Sequence, residues 1–209
     1  MENKIKVVGL GPGNLDFLTG AGVKGIKNCE IVIGGKRHLE EVEELLDNQE
    51  RFPLEKLQEM LNYIEKNRNK KITVVVSGDT GYYSLLTYLE KNLGKENLEV
   101  IPGISSFQYL FSRLAMTWEK YTLCSVHGRS CEYIEALKNS QEGIVLLTDN
   151  INNPYIIGKN LLENGFENVE IIVGERLSYG DEKITRFKAK DVEEHQRDYQ
   201  MNVTILKKG

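Results

Sequence analysis

Apolar residues in this chain fall into short unbroken runs, each stopped by a turn of glycine, proline or small polar residues. The clearest run is Ile72-Thr73-Val74-Val75-Val76. It drops into Ser77-Gly78-Asp79-Thr80-Gly81, and helically spaced Leu85, Leu86 and Leu89 follow. Apolar and β-branched residues without polar alternation predict a strand covered on both faces, as in a parallel sheet. Similar runs at 4–8, 30–33 and 98–101 predict three more strands, and helical spacing marks 39–46, 54–64, the stretch after Ser84 to about 93, and 107–114. Strand and helix alternate, which argues for βαβ units.

The pattern breaks at 115–120, which holds the single tryptophan, Trp118. A boundary there predicts two domains, 1–115 and 116–209. The second series has strands at 121–126, 143–147, 169–173, 183–187 and 203–206, with helices at 132–138 and 154–164. Gly165 is placed to close the latter helix. No clear helix separates the last two strands, so the expected architecture is two α/β domains, the first sheet rich in parallel pairs and the second mixed.

Composition narrows the classes. With 209 residues, 40% hydrophobic and 28% charged, the chain has the make-up of an ordinary globular protein. A net charge of −4 gives no reason to expect nucleic acid or bulk membrane as a partner. No apolar run approaches the roughly 20 residues that span a bilayer. The start, Met1-Glu2-Asn3-Lys4-Ile5, lacks the apolar core of a secretory signal. A cytoplasmic location is expected. The three scattered cysteines, Cys29, Cys124 and Cys131, suit a reducing compartment. Cys124, His127 and Cys131 do not have the spacing of a zinc site, and no metal is expected.

Ligands of parallel sheets sit beyond the carboxyl ends of the strands, so the strand-end turns are the candidate chemistry. Gly9-Leu10-Gly11-Pro12-Gly13 invites comparison with the dinucleotide fingerprint, but Asn14 stands where that fingerprint needs glycine and Pro12 interrupts it. The second strand ends in Gly34-Gly35-Lys36-Arg37 rather than an acidic residue; Lys36 and Arg37 leave open a 2′-phosphate contact in an NADP-linked oxidoreductase. Ser105 or Ser106 can cap a helix, or help hold a carboxylate at its exposed N–H groups. His127 and Arg129 put a titratable ring and a guanidinium fork at a strand end, which suits a polycarboxylate or merely a solvated surface. Thr148-Asp149-Asn150 and Gly174-Glu175-Arg176 repeat that placement, though each fits turn chemistry alone.

In order along the chain, these loops resemble the tetrapyrrole methylase family. The matching elements are Gly-x-Gly-Pro-Gly at 9–13, Ser-Gly-Asp-x-Gly at 77–81, Pro-Gly-Ile-Ser-Ser at 102–106 and the closing Asn202-Val203-Thr204-Ile205-Leu206. Thr80 departs from the pattern, standing where many relatives carry proline. Ser125 to Arg129, Leu147 to Asp149 and Gly174 to Glu182 resemble the branch of the family that methylates carbon 5 of the corrin ring. The resemblance implies an active-site cleft between the two domains and S-adenosyl-L-methionine as co-substrate. Pro12, Ser77, Gly78, Asp79, Tyr82, Ser105, Ser106, Thr148 and Gly174 are its expected binding residues. It also implies a tetrapyrrole substrate, which would bring any cobalt with it, a homodimer, and a separate partner for methylation at carbon 15 with decarboxylation. Methyl transfer from a sulfonium asks mainly for alignment and exclusion of water. His127 and Arg129 are therefore expected to orient peripheral carboxylates or assist proton loss, without a covalent intermediate. A sister methylase acting at another ring position, and a non-catalytic nucleotide- or tetrapyrrole-binding protein, remain the alternatives.

Overall fold

The computed structural model describes residues 3–128 and 130–209, and the chain divides into two compact units, Met1–Ser105 and Ser106–Gly209. In the first, β1 (Ile5–Gly9), β2 (Ile31–Gly34), β3 (Glu50–Pro53), β4 (Ile72–Val76) and β5 (Leu98–Ile101) form a sheet of order β3-β2-β4-β1-β5. Every pair is parallel. Every residue of β4 is buried because helices cover both faces. Ile72, Val74 and Val76 pack with Met60 and Ile64 of α3 (Leu57–Lys66) and Leu89 and Leu93 of α4 (Leu86–Leu93). Val75 faces the other way, toward Ile26 of α1 (Gly20–Lys27) and Leu39 of α2 (Lys36–Glu41). Buried Thr73 stays satisfied because its hydroxyl donates to the Gly25 carbonyl at 3.0 Å.

Two elements of this unit escape the hydropathy pattern. β3 reads Glu-Arg-Phe-Pro and is mostly exposed. It lies at the sheet edge, where proline and charge are tolerated because one side of the strand needs no ladder partner. Its Phe52 stacks on Tyr63 with centroids 4.1 Å apart. α1 is masked by three glycines, two of which its packing requires. A Cβ on Gly22 would lie 2.8 Å from Leu18 Cδ1, and one on Gly25 would lie 3.2 Å from Ile101 Cδ1. The Thr19 side chain caps this helix by accepting from Gly22 N at 3.1 Å.

Three predicted helices are shorter than their apolar spacing implies. The 39–46 stretch is shared between α2 and a single 3-10 turn, Glu43–Leu45. Residues 54–56 lie outside the helix, with Leu54 N donating to Gly34 O at 2.8 Å and Lys56 extended. The turn after β4 runs on to Leu85 before α4 begins.

The second unit holds β6 (Tyr121–Ser125), β7 (Gly143–Leu147), β8 (Glu170–Glu175), β9 (Lys183–Lys188) and β10 (Asn202–Lys207), ordered β6-β7-β10-β8-β9. β6 and β7 are parallel, while β7–β10, β10–β8 and β8–β9 are antiparallel. The mixed sheet expected from the missing crossover helix is thus present. A 3-10 segment, Ala189–His195, connects β9 to β10. It packs so closely on α7 (Pro154–Glu163) that a Cβ on Gly158 would lie 2.4 Å from Val192 Cγ2. α6 (Tyr133–Asn139) contributes Tyr133 and Leu137 to the same core.

Two helix ends in this unit use the same device. After α7, Phe166 N donates to Leu161 O at 2.9 Å and Gly165 N to Leu162 O at 3.0 Å, with Gly165 at φ +78°. After α5 (Ser106–Arg113), Met116 N donates to Phe111 O at 3.0 Å and Ala115 N to Ser112 O at 3.1 Å. Both are Schellman closures, but the second holds Ala115 at φ +52°, where a Cβ is strained. Ala115→Gly should therefore stabilise the protein by about 1 kcal/mol. A thermal melt should show Tm rising by about 2–4 °C.

Candidate active site

The sheet order places the carboxyl ends of β4, β1 and β5 side by side, and their loops meet backbone to backbone. Leu10 N donates to Val76 O at 2.9 Å. Gly11 and Gly78 exchange two hydrogen bonds, Gly11 N to Gly78 O at 3.1 Å and Gly78 N to Gly11 O at 2.9 Å. A Cβ on Gly9 would lie 2.6 Å from Gly78 O and 2.7 Å from Gly103 N. One on Gly103 would lie 2.3 Å from Gly78 O and 2.6 Å from Gly9 O. No side chain fits at either position. Gly11 at φ +83° and Gly78 at φ +64° occupy the left-handed region, which glycine enters without steric cost.

Asp79 braces this junction. Its Oδ1 accepts from Gly81 N at 2.8 Å and its Oδ2 from Gly103 N at 3.4 Å. The carboxylate therefore ties the β4 loop to the β5 loop. Thr80 is only 3% exposed, and the Ser84 hydroxyl donates to its carbonyl; threonine sits inside the turn. Ser105 is buried, with its Cα 3.8 Å from where a Gly78 Cβ would stand. Ser77 is exposed and Pro12 half-buried. Tyr82 meets Tyr83 edge-on at 4.8 Å, and Tyr83 is held at φ +50°. Pro12, Ser77, Gly78, Asp79 and Ser105 thus belong to one loop cluster, with Tyr82 on its continuation. Gly9 and Gly103 lie inside the sequence motifs without a predicted role; the close approach they permit is a tertiary fact.

In the second unit the strand-end loops are held by side chains. His127 is exposed, with Nδ1 2.9 Å from Thr148 O. A carbonyl only accepts, so this contact assigns the proton of the neutral ring to Nδ1 and the lone pair to Nε2. Asp149 accepts from Gly128 N at 2.8 Å, Ile151 N at 2.9 Å and Asn152 N at 2.7 Å. These bonds, the one from Gly128 first, hold its carboxyl below the usual carboxylate range. Thr148 is buried, and its hydroxyl is turned toward Asn202, 2.9 Å from that residue's carbonyl.

Gly174 lies in β8, paired with Val203 and Ile184. A Cβ there would lie 2.8 Å from Leu177 Cδ2 and 2.9 Å from Leu110 Cδ1, so its missing side chain lets α5 approach the sheet. Ser106 opens α5, and Arg129 lies outside the described residues. Just beyond Gly174, buried Glu175 is gripped by the Arg197 fork and also accepts from Gln200 N at 3.2 Å. Arg176 at φ +45°, Ser178 at φ +70° and Met201 at φ +22° share this region, and Arg176 N donates to Met201 O at 3.1 Å. Such strain persists only where surrounding contacts over-determine it. Burial pushes the Cys124 thiol up to about 12, so it is protonated and unreactive at neutral pH. Among the described residues, no group of three or more His, Cys, Asp or Glu side chains is placed to hold a metal ion.

Residues 4–193 match the family model of the Tetrapyrrole (Corrin/Porphyrin) Methylases. The chain is 32% identical over 203 residues to the cobalt-precorrin-7 C(5)-methyltransferase of Salmonella typhimurium, covering 97% of this chain and 98% of that protein. It is 25% identical over 181 residues to the decarboxylating precorrin-6Y C(5,15)-methyltransferase of a Sinorhizobium species, covering 87% of this chain and 44% of that protein. Among solved structures, a cobalt precorrin-4 methyltransferase superposes with a TM-score of 0.81 at 18% identity, covering 97% of this chain and 94% of that one. A uroporphyrin-III C-methyltransferase from Thermus thermophilus, complexed with S-adenosyl homocysteine, superposes with a TM-score of 0.78 at 19% identity, covering 98% and 92%.

The glycine junction can be tested by substitution. Gly103→Ala drives a Cβ onto two backbone oxygens and should cost about 3 kcal/mol. Gly20→Ala, at the open start of α1 with nothing within 4 Å of its Cβ, should stay within about 0.5 kcal/mol of wild type. Urea unfolding of both variants checks the contrast.

Proposed function

Because this chain belongs to the tetrapyrrole (corrin/porphyrin) methylase family, we propose that it transfers a methyl group from S-adenosyl-L-methionine to carbon 5 of cobalt-precorrin-7 or a close precorrin in cobalamin biosynthesis. The observation that carries this reading is the end-to-end match to a carbon-5 methyltransferase. The loop junction of the first unit fits the co-substrate. At Gly78 only Ser105 Cα, at 3.8 Å, comes near where a Cβ would stand, which lets a ligand approach the main chain there without meeting a side chain.

Pro12, Ser77, Gly78, Asp79, Tyr82 and Ser105 of the first unit, with Ser106, Thr148 and Gly174 of the second, are assigned to hold S-adenosyl-L-methionine. When bound, that molecule supplies an already activated sulfonium methyl. Asp79 shapes the loops; its two oxygens are engaged by the N–H groups of Gly81 and Gly103, so it is not assigned a proton to remove. His127, turned through Nδ1 to Thr148 O, offers Nε2 as an acceptor. Together with Arg129 it is assigned to orient peripheral carboxylates of the macrocycle or to take up the proton lost. The remaining work of the site is alignment and exclusion of water. Carbon-15 methylation with decarboxylation is left to a separate partner protein, and a cytoplasmic homodimer completes the proposal.

Isothermal titration with S-adenosylhomocysteine should show one site per chain. Gly78→Val should abolish that binding while the circular dichroism spectrum stays that of wild type, because a β-branched residue resists φ +64°. Arg129→Ala should weaken the corrin substrate and spare the co-substrate; equal loss of both would sink its assignment. Turnover of cobalt-precorrin-7 should place the new methyl on carbon 5 by NMR of the product. Tight NADP binding without S-adenosylhomocysteine binding would overturn the reading.

A further inference from the structure

At the amino ends of its strands, opposite the glycine junction, the first sheet holds a cavity of about 570 Å³ beneath α1. That volume is the size of a small-ligand site. Its floor is a row across three strands. Thr73 of β4 pairs with Lys6 of β1, and Lys6 pairs with Glu99 of β5. All three line the cavity. The Lys6 stem runs under α1, with its Cδ 3.6 Å from where a Gly25 Cβ would stand. Lys6 Nζ meets Glu99 Oε2 at 2.7 Å, and the Thr73 hydroxyl donates to Gly25 O at 3.0 Å. The floor is therefore satisfied within the protein.

The rim is not. Side chains alternate along a strand, so Lys4 and Lys71, two residues before Lys6 and Thr73, come to the same face. The parallel register, continued two residues back, sets them side by side on strands about 4.8 Å apart. Both line the cavity, as does Lys24 of α1. Among the described residues, no salt bridge or side-chain hydrogen bond takes up the ammonium of Lys4, Lys24 or Lys71. The nearby Glu30 carboxylate accepts from the Lys71 backbone N–H at 2.9 Å. Four lysines thus face one glutamate, in a chain of net charge −4. Like charges set side by side destabilise a sheet unless something offsets them. The carbonyls at the end of α1, which would hold cations and repel an anion, are closed by other donors. Lys24 O accepts from Asn28 N at 3.1 Å, Gly25 O from Thr73, Ile26 O from Cys29 Sγ at 3.1 Å and Lys27 O from Gln49 Nε2 at 3.0 Å.

We propose that this cavity binds an oligophosphate group, with Lys4, Lys24 and Lys71 as its counter-charges. A lysine ammonium serves phosphate as a point charge, whereas carboxylate recognition favours the arginine fork, which this lining lacks. The site lies at the far ends of β1 and β4 from the loops assigned to the methyl donor, and it stands or falls independently of the methyl-transfer reading.

Isothermal titration of the wild-type chain with inorganic pyrophosphate should show one site per chain, weakening as salt rises because exposed charges are screened. Lys4→Gln combined with Lys71→Gln should weaken binding about tenfold or more, as expected for loss of charged hydrogen bonds. Without pyrophosphate this double variant should melt no lower than wild type, since a repulsion has been removed, and pyrophosphate should raise the Tm of wild type alone. Lys27→Gln removes an exposed α1 charge outside the cavity and should change affinity less than about twofold. Tighter binding of ADP assigns the phosphates to a nucleotide, and tighter binding of pyrophosphate assigns them to the free ion; both support the site. Citrate binding as tight as pyrophosphate, an equal loss in Lys27→Gln, or a lower Tm for the unliganded double variant overturns the proposal. So does displacement of pyrophosphate by S-adenosylhomocysteine, which would put the anion among the methyl-donor loops. A wild-type chain that binds S-adenosylhomocysteine and no pyrophosphate overturns the site and leaves the methyl-transfer reading intact.

Discussion

Three loops can meet at the carboxyl edge of the first sheet only because Gly9 and Gly103 have no side chains and Gly78 turns at φ +64°. Backbone atoms of the neighbouring loops stand within 3 Å of where the Cβ of Gly9 or of Gly103 would be. This contact sets the height of the β1, β4 and β5 turns and fixes where Pro12, Ser77 and Ser105 are presented. Asp79 reinforces it with two backbone hydrogen bonds. The buried character of β4 follows from the same architecture, since a parallel strand carrying the central loop must be covered by helices on both faces.

The second unit reaches a comparable end by other means. Its loops are fastened by side chains: Asp149 gathers three N–H groups, Thr148 turns to Asn202, and the Arg197 fork closes on buried Glu175. A buried carboxylate needs such pairing, because desolvation would otherwise exceed what its charge gains. The strained backbone at Arg176, Ser178 and Met201 is retained beside this pair, where the surrounding hydrogen bonds hold it. The first unit fastens its loops backbone to backbone, and the second fastens them through side chains.

Much of this was legible in the chain. The runs at 72–76, 98–101 and 143–147 are strands with those bounds, because an apolar run between turn residues has few other uses. Gly165 closes α7 as its position implies. β3 was not legible, since a four-residue edge strand of mostly exposed residues carries no apolar signal. Nor was α1, whose glycines lower helix propensity while serving close packing on the sheet.

Sequence alone determined the order of the strands and helices that carry an apolar pattern, the ordered strand-end motifs and the family they belong to, because these depend on local pattern and on residue identity at fixed spacing. Tertiary structure decided which glycines are sterically required, that Asp79 and Asp149 are loop braces, that the Thr148 hydroxyl faces Asn202, and that Gly174 serves the approach of Leu110. Each of these depends on a partner distant in sequence. The contact exists only once the sheet has aligned the strand ends, and no local pattern encodes it.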